Sequence, residues 1–175
     1  MKSVLISIQP KWCELIARGK KTVEVRKTRP KLETPFKVYI YCTKGETIYL
    51  PSDIFGNEAL NGKVIGEFVC DETCDWYHHH ITTLYGSKDG YFIFEDDLNA
   101  SCLTYEDIVN YGTGKTVYGW HISDLVIYDK PKDLREFKKP CKETNLCYPD
   151  NCNRCGWNIL LRPPQSWCYV EKESD

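Results

Sequence analysis

A glutamate and an arginine two residues apart, Glu24 and Arg26, follow a lysine pair, Lys20 and Lys21, with Thr22 between them. In a cleft this set could read a nucleobase. The carboxylate and guanidinium would bind edge groups or a phosphate, and Lys20, Lys21 and Lys27 would hold the backbone. The set could equally do acid–base chemistry, with Lys21 and Glu24 as candidate catalytic groups and Arg26 stabilising developing charge. A plainer reading is that Glu24 and Arg26 form a partly exposed ion pair along one strand, worth little. Trp120 and His121 add a flat aromatic, worth ~1–3 kcal/mol under a stacked base, and a group that titrates near neutral pH. Strand neighbours point to opposite sides, so one of that pair faces inward and the other outward.

The elements that must position these groups run from Gln9 to Arg29. Pro10 suits a first helical turn, and Trp12, Leu15 and Ile16 fall at i, i+3, i+4 as an apolar stripe. Gly19 can take the left-handed conformation that ends a helix, with Lys20 and Lys21 where the dipole favours cations. Thr22 to Arg26 then alternates with period two. Val23 and Val25 would face a core, and Thr22, Glu24 and Arg26 the other side.

Gly19, Lys21, Glu24 and Arg26 stand as G-x-K-x-x-E-x-R, preceded by Gln9-Pro10 and Trp12. This pattern resembles the ASCH domain, a small β-barrel family related to the PUA and YTH folds. The likeness returns in outline at Gly119 to Leu125. It implies a cleft where the motif strand meets the helix and the strand carrying Trp120 and His121, and RNA as the ligand class. Splayed single-stranded bases can enter such a pocket directly, which favours RNA over DNA. The ASCH family also includes acetylcytidine amidohydrolases, in which a lysine activates a threonine beside a glutamate. Lys21 matches that lysine, but position 24 holds glutamate where the nucleophile would be. Thr22 lies ~6.6 Å away along the strand, too far to replace it. The third residue has no secure place among Glu95, Asp96 and Asp97. Phosphodiester cleavage by Lys21, Glu24 and Arg26, with His121 as acid, is the other enzymatic option.

With 175 residues the chain can bury a real core in one domain plus a small appendage. Its net charge of −2 announces no polyanion partner, yet Lys20, Lys21, Arg26, Lys27, Arg29 and Lys31 crowd one stretch. A basic strip that meets an acidic protein is therefore a third reading. No segment looks like a secretion signal or a membrane span, so a cytoplasmic protein without membrane partners is expected; nothing predicts its oligomeric state.

Strands are expected over Ser3–Ile8, Phe36–Cys42, Lys63–Cys70 after an Asn61-Gly62 turn, Thr116–Ile122, Asp124–Tyr128 and Ser166–Val170, with a shorter one at Glu46–Leu50. Asp71 to Gly90 is polar and non-periodic and is expected to be a long loop. Thr104 with Asp107 resembles a capping box opening a short helix stopped by Gly112 and Gly114, and a helical turn or two should follow Pro131. The sum is α+β, mainly β: a PUA-like, ASCH-like small β-barrel with two or three short helices and a Cys-rich C-terminal appendage. The boundaries expected are a barrel over 1–135, a Cys-rich insert over 136–160, and a closing strand and tail over 161–175.

Ten cysteines are many for a cytosolic chain and read better as thiols or metal ligands than as a disulfide frame. Cys141, Cys147, Cys152 and Cys155 lie in a polar window that cannot build its own apolar core. Four thiolates around a structural zinc would hold it and leave no open coordination position. Cys70, Cys74 and the run His78 to His80 form a weaker metal candidate. Cys13 and Cys42 look like core thiols.

Overall fold

The computed structural model describes residues 2–45, 60–83, 86–140 and 158–171, with residues 80–83 and 86–89 in backbone only. Two compact units divide the chain: residues 1–14, 37–68 and 126–175 form the first, residues 15–36 and 69–125 the second.

The first unit is built on a mixed five-stranded sheet in the order β10-β1-β3-β4-β9. These strands are β1 (Lys2–Ile8), β3 (Phe36–Cys42), β4 (Val64–Cys70), β9 (Ser123–Lys132) and β10 (Trp167–Glu171). β1 pairs in parallel with β3 and antiparallel with β10. Parallel neighbours need a long crossover, and the segment between β1 and β3 supplies it. Leu5, Tyr39, Tyr41, Val64, Phe137, Leu160 and Val170 fill the core of this unit. The turn expected after Pro131 is one 3₁₀ turn at Leu134–Glu136, capped by Asp133.

Helix α1 (Pro10–Ala17) starts at the expected proline. Its buried stripe is Cys13 and Ile16, so Trp12 and Leu15 sit at the margin, half-buried. The Lys11 ammonium covers the Trp12 ring at 4.3 Å. The helix ends in a Schellman motif: Lys20 N donates to Leu15 O, Gly19 N to Ile16 O, and Gly19 has φ of 66°. Glycine is required there because a Cβ disfavours that conformation.

In the second unit β2 (Val23–Arg26), β8 (Val117–His121) and β5 (Thr73–Trp76) make an antiparallel sheet in the order β2-β8-β5. Strands β6 (His78–Thr83) and β7 (Gly86–Tyr91) pair as a hairpin. Helices α2 (Glu95–Ala100) and α3 (Tyr105–Gly112) follow. The capping box is formed as the spacing predicts: Asp107 N donates to Thr104 Oγ1 and Thr104 N to Asp107 Oδ2. Val23, Val25, Trp76, Tyr91, Ile108 and Val117 form the core of this unit.

The fold is mixed α+β and mainly strands, with three short α-helices among the described residues. Two expectations are corrected. Ladder hydrogen bonds among the described residues make sheets of five, three and two strands rather than one closed barrel. Asp124, near the start of β9, has a φ of 45°. The loop expected over residues 71–90 is largely β5 and the β6–β7 hairpin. Ladder hydrogen bonds form a strand without apolar alternation, so periodicity missed it. The expected strand at residues 46–50 and the appendage cysteines lie outside the described residues.

Candidate nucleic-acid interface

Antiparallel register fixes which side chains share a face. Glu24 stands opposite Trp120, and Trp120 opposite Thr73. Arg26, Tyr118 and Asp75 form the next row on the same face. Val23, Val25, Val117 and Trp76 point to the apolar core instead.

Lys21, Glu24 and Arg26 are brought together, and far more deeply than an exposed strand pair would be. Their relative exposures are 2%, 5% and 8%. Arg26 Nη2 lies 3.0 Å from Glu24 Oε1, and Lys21 Nζ lies 3.4 Å from Glu24 Oε2. Glu24 is thus a carboxylate between two cations, and its Oε2 accepts no hydrogen bond among the described residues. The partly exposed pair of the plainer reading is not what forms: both side chains are buried, and Tyr111 of α3 is within electrostatic reach of them. Tyr111 of α3 titrates above its ordinary value, first through burial, with Arg26 and Glu24 acting on it in opposite senses.

The Schellman turn aims Lys21 back at the sheet. Its ammonium donates to Val23 O at 2.9 Å and to Ser101 O at 2.6 Å. Ser101 closes α2, so the cation meets the negative end of a helix. Thr22 N donates to Ala100 O and the Cys102 thiol to Lys20 O, which fastens this segment to the same helix end. Burial holds the Lys21 ammonium below its usual pKa, while Glu24 pulls it back up.

The other expected residues separate. Lys20 is exposed and Thr22 half-buried. Trp120 is fully buried, with the Phe36 ring edge-on to it at a centroid distance of 5.9 Å, so it is a floor with no free face for stacking. His121 pairs with Val23 and leaves the sheet on the face opposite Glu24; its Nδ1 meets Asp71 Oδ1 at 2.7 Å. That hydrogen bond holds the Asp71 carboxyl below its ordinary range.

Sequence reasoning missed Tyr111, Tyr118, Asp75 and the role of Arg29. Lys27 covers the Tyr111 ring at 4.9 Å, and Arg29 covers Tyr118 at 5.3 Å. Arg29 Nη1 also reaches Asp75 Oδ1 at 3.1 Å and Thr73 Oγ1 at 3.3 Å. The local signal was the basic run itself, but its aromatic partners come from α3 and β8. Beside this face lies a cavity of about 720 Å³, lined by Arg29, Lys31, Leu32, Thr34, Phe36 and Thr73 among others. Lys21, Glu24 and Arg26 do not line it.

Among the described residues no group of three or more His, Cys, Asp or Glu side chains could hold a metal. Burial pushes the Cys70 and Cys74 thiols up to about 12 and about 11.

These elements make a mixed α+β, mainly β fold. Residues 6–78 match the family model of the ASCH domain, which bears out the resemblance read from Gly19, Lys21, Glu24 and Arg26. The fold is similar to the crystal structure of ASCH from Zymomonas mobilis, with TM-score 0.58, 19% identity, and 98% of this chain and 89% of that chain covered. Structures of two single-substitution variants of the Zymomonas mobilis protein give TM-scores of 0.56 and 0.57 at 18% identity, covering 98% and 97% of this chain and 92% and 89% of theirs. No curated protein matches the sequence. No helix among the described residues is long and apolar enough to cross a membrane.

Proposed function

We propose that this chain binds RNA or a modified nucleoside on the β2–β8–β5 face around Lys21, Glu24 and Arg26. One observation carries the reading: three charged side chains stand in a row, nearly excluded from water. Such a network adds little net stability over apolar residues of the same volume, and desolvated charges cluster where function uses them. In this reading the Glu24 carboxylate accepts an N–H from a base edge once the ligand displaces what covers it. Tyr118 and Tyr111, each carrying a cation on its ring, are surfaces for bases and phosphates at the rim. Lys20 and Thr22 stand next to this row along the chain, Trp120 is buried opposite Glu24, and His121 is left out on the other face. RNA is favoured by the analogy with ASCH, PUA and YTH relatives, which is an argument from fold. The cytoplasm is the compartment this reading implies, in keeping with the six free thiols among the described residues.

Fluorescence titration with a single-stranded RNA oligonucleotide tests it. Lys27→Ala should weaken binding and reduce the slope of log affinity against log salt by about 0.7. Glu24→Gln, checked for folding, should weaken binding about tenfold, as the loss of one charge-assisted hydrogen bond would. Wild-type affinity in both variants would refute the binding surface and leave a protein-interaction module.

One observation favours the hydrolase alternative: burial shifts Lys21 in the direction a lysine base requires. Its ammonium is nevertheless committed to two carbonyl oxygens, and Glu24 stands in place of a hydroxyl nucleophile. If Glu24→Gln kept RNA affinity and abolished turnover of acetylated cytidine or of an RNA oligonucleotide, the hydrolase would replace the binding reading.

Cys141, Cys147, Cys152 and Cys155 we assign to a structural zinc, on their spacing and on the polar sequence around them. Metal analysis of the purified protein should give one equivalent; well below one, with these thiols freely reactive, would remove the site.

A further inference from the structure

We infer that the cavity under the β2–β3 connection is a second nucleotide subsite, so that the ligand is an RNA strand of at least two nucleotides rather than a free nucleoside. This rests on the reading above and narrows its ligand class. The lining combines apolar, cationic and hydroxyl groups with one carboxylate, Glu33, set against the two cations. Pro30, Leu32 and Phe36 are apolar wall for a base or ribose, Arg29 and Lys31 are cations for a phosphate, and Thr34 and Thr73 offer hydroxyls. A volume of about 720 Å³ lies within the ~300–1,000 Å³ range of small-ligand pockets and suits one nucleotide.

Register places this cavity in line with the first site. Thr73, on its wall, and Glu24 flank Trp120 from opposite sides on one face of the sheet. Their backbones are therefore two strand spacings apart, roughly 10 Å. Neighbouring nucleotides of an extended strand can bridge that gap, and Trp120 with Phe36 above it separates the two positions. Arg29 lines the cavity and is held there by its neighbours. Its guanidinium lies over Tyr118 and is tied to Asp75 and Thr73, yet the side chain is 48% exposed. An arginine fixed before the ligand arrives loses little rotamer freedom on meeting a phosphate. That is the position of the phosphate linking the two nucleotides.

The test measures affinity against chain length, using a mononucleoside and RNA oligonucleotides of two and four nucleotides. Wild-type protein should gain about tenfold or more from the nucleoside to the dinucleotide, the gain expected from one further stacked base. Leu32→Trp, which fills the cavity, and Lys31→Glu, which reverses an exposed charge, should each abolish that gain and leave nucleoside affinity unchanged. Lys31→Glu needs no core repacking, so it decides the matter should Leu32→Trp fold poorly. Equal wild-type affinity for all three lengths, or variants that keep the gain, would overturn the subsite while leaving the first site intact. Wild-type protein that binds neither nucleoside nor RNA would overturn the parent reading, and the subsite with it.

Discussion

Lys21→Met gives the sharpest check on the buried charge network, because methionine nearly conserves volume and removes only the ammonium. Three contacts go with it: Val23 O at 2.9 Å, Ser101 O at 2.6 Å, and Glu24 Oε2 at 3.4 Å. Removing one partner of a buried pair costs about 3–5 kcal/mol, since the remaining charge is left desolvated. Arg26 still holds Glu24 Oε1 at 3.0 Å, which places the expected loss near the lower end, about 3 kcal/mol. For a chain of this size that lowers Tm by about 6–12 °C. Urea denaturation should show a lower midpoint with an unchanged slope. The double variant Lys21→Met/Glu24→Gln should recover part of the loss, with a coupling of about 1–3 kcal/mol across the cycle. A loss below about 1 kcal/mol, the value of a solvated surface pair, together with no coupling, would refute the claim that these charges are desolvated.

Three further outcomes follow from the geometry. Gly112→Ala would drive a Cβ into the Tyr91 hydroxyl, which is fixed by donating to Lys115 O at 2.7 Å; thermal unfolding should register a loss of about 1–3 kcal/mol. Thr104→Ala removes the acceptor for Asp107 N and should cost about 1 kcal/mol, while Thr104→Ser should restore most of it. Glu67 accepts from Lys37 at 2.6 Å and from Tyr128 at 2.5 Å, and these bonds hold its carboxyl below the usual range against the opposing effect of burial. A depressed carboxylate stabilises above its unfolded pKa and loses that stabilisation as pH falls through the folded value. Glu67→Gln should therefore be less stable than wild type at pH 7, and the two midpoints should converge on acidification; a constant difference across pH would refute it.

Local chemistry by itself determined a good part of this protein. Pro10, the stop at Gly19, the alternation of residues 36–42 and the Thr104–Asp107 box each act through neighbours a few residues away, so their elements stand where the sequence puts them. The grouping of Lys21, Glu24 and Arg26 was legible for the same reason, being spaced along one turn and one strand. Their burial was not. It depends on Ser101, eighty residues on from Lys21, on Tyr111 beside Arg26, and on a sheet that sets Glu24 opposite Trp120. The hairpin at residues 78–91 was hidden because ladder hydrogen bonds, rather than apolar periodicity, make it a strand pair. Trp120 and His121 were seen to alternate, but only the packing of Phe36 decided which faced inward. Propensity and capping are read within a turn of chain. Desolvation and register arise where distant segments meet, so the tertiary structure alone could turn a common charged strand into a dry row of charges beside a cavity.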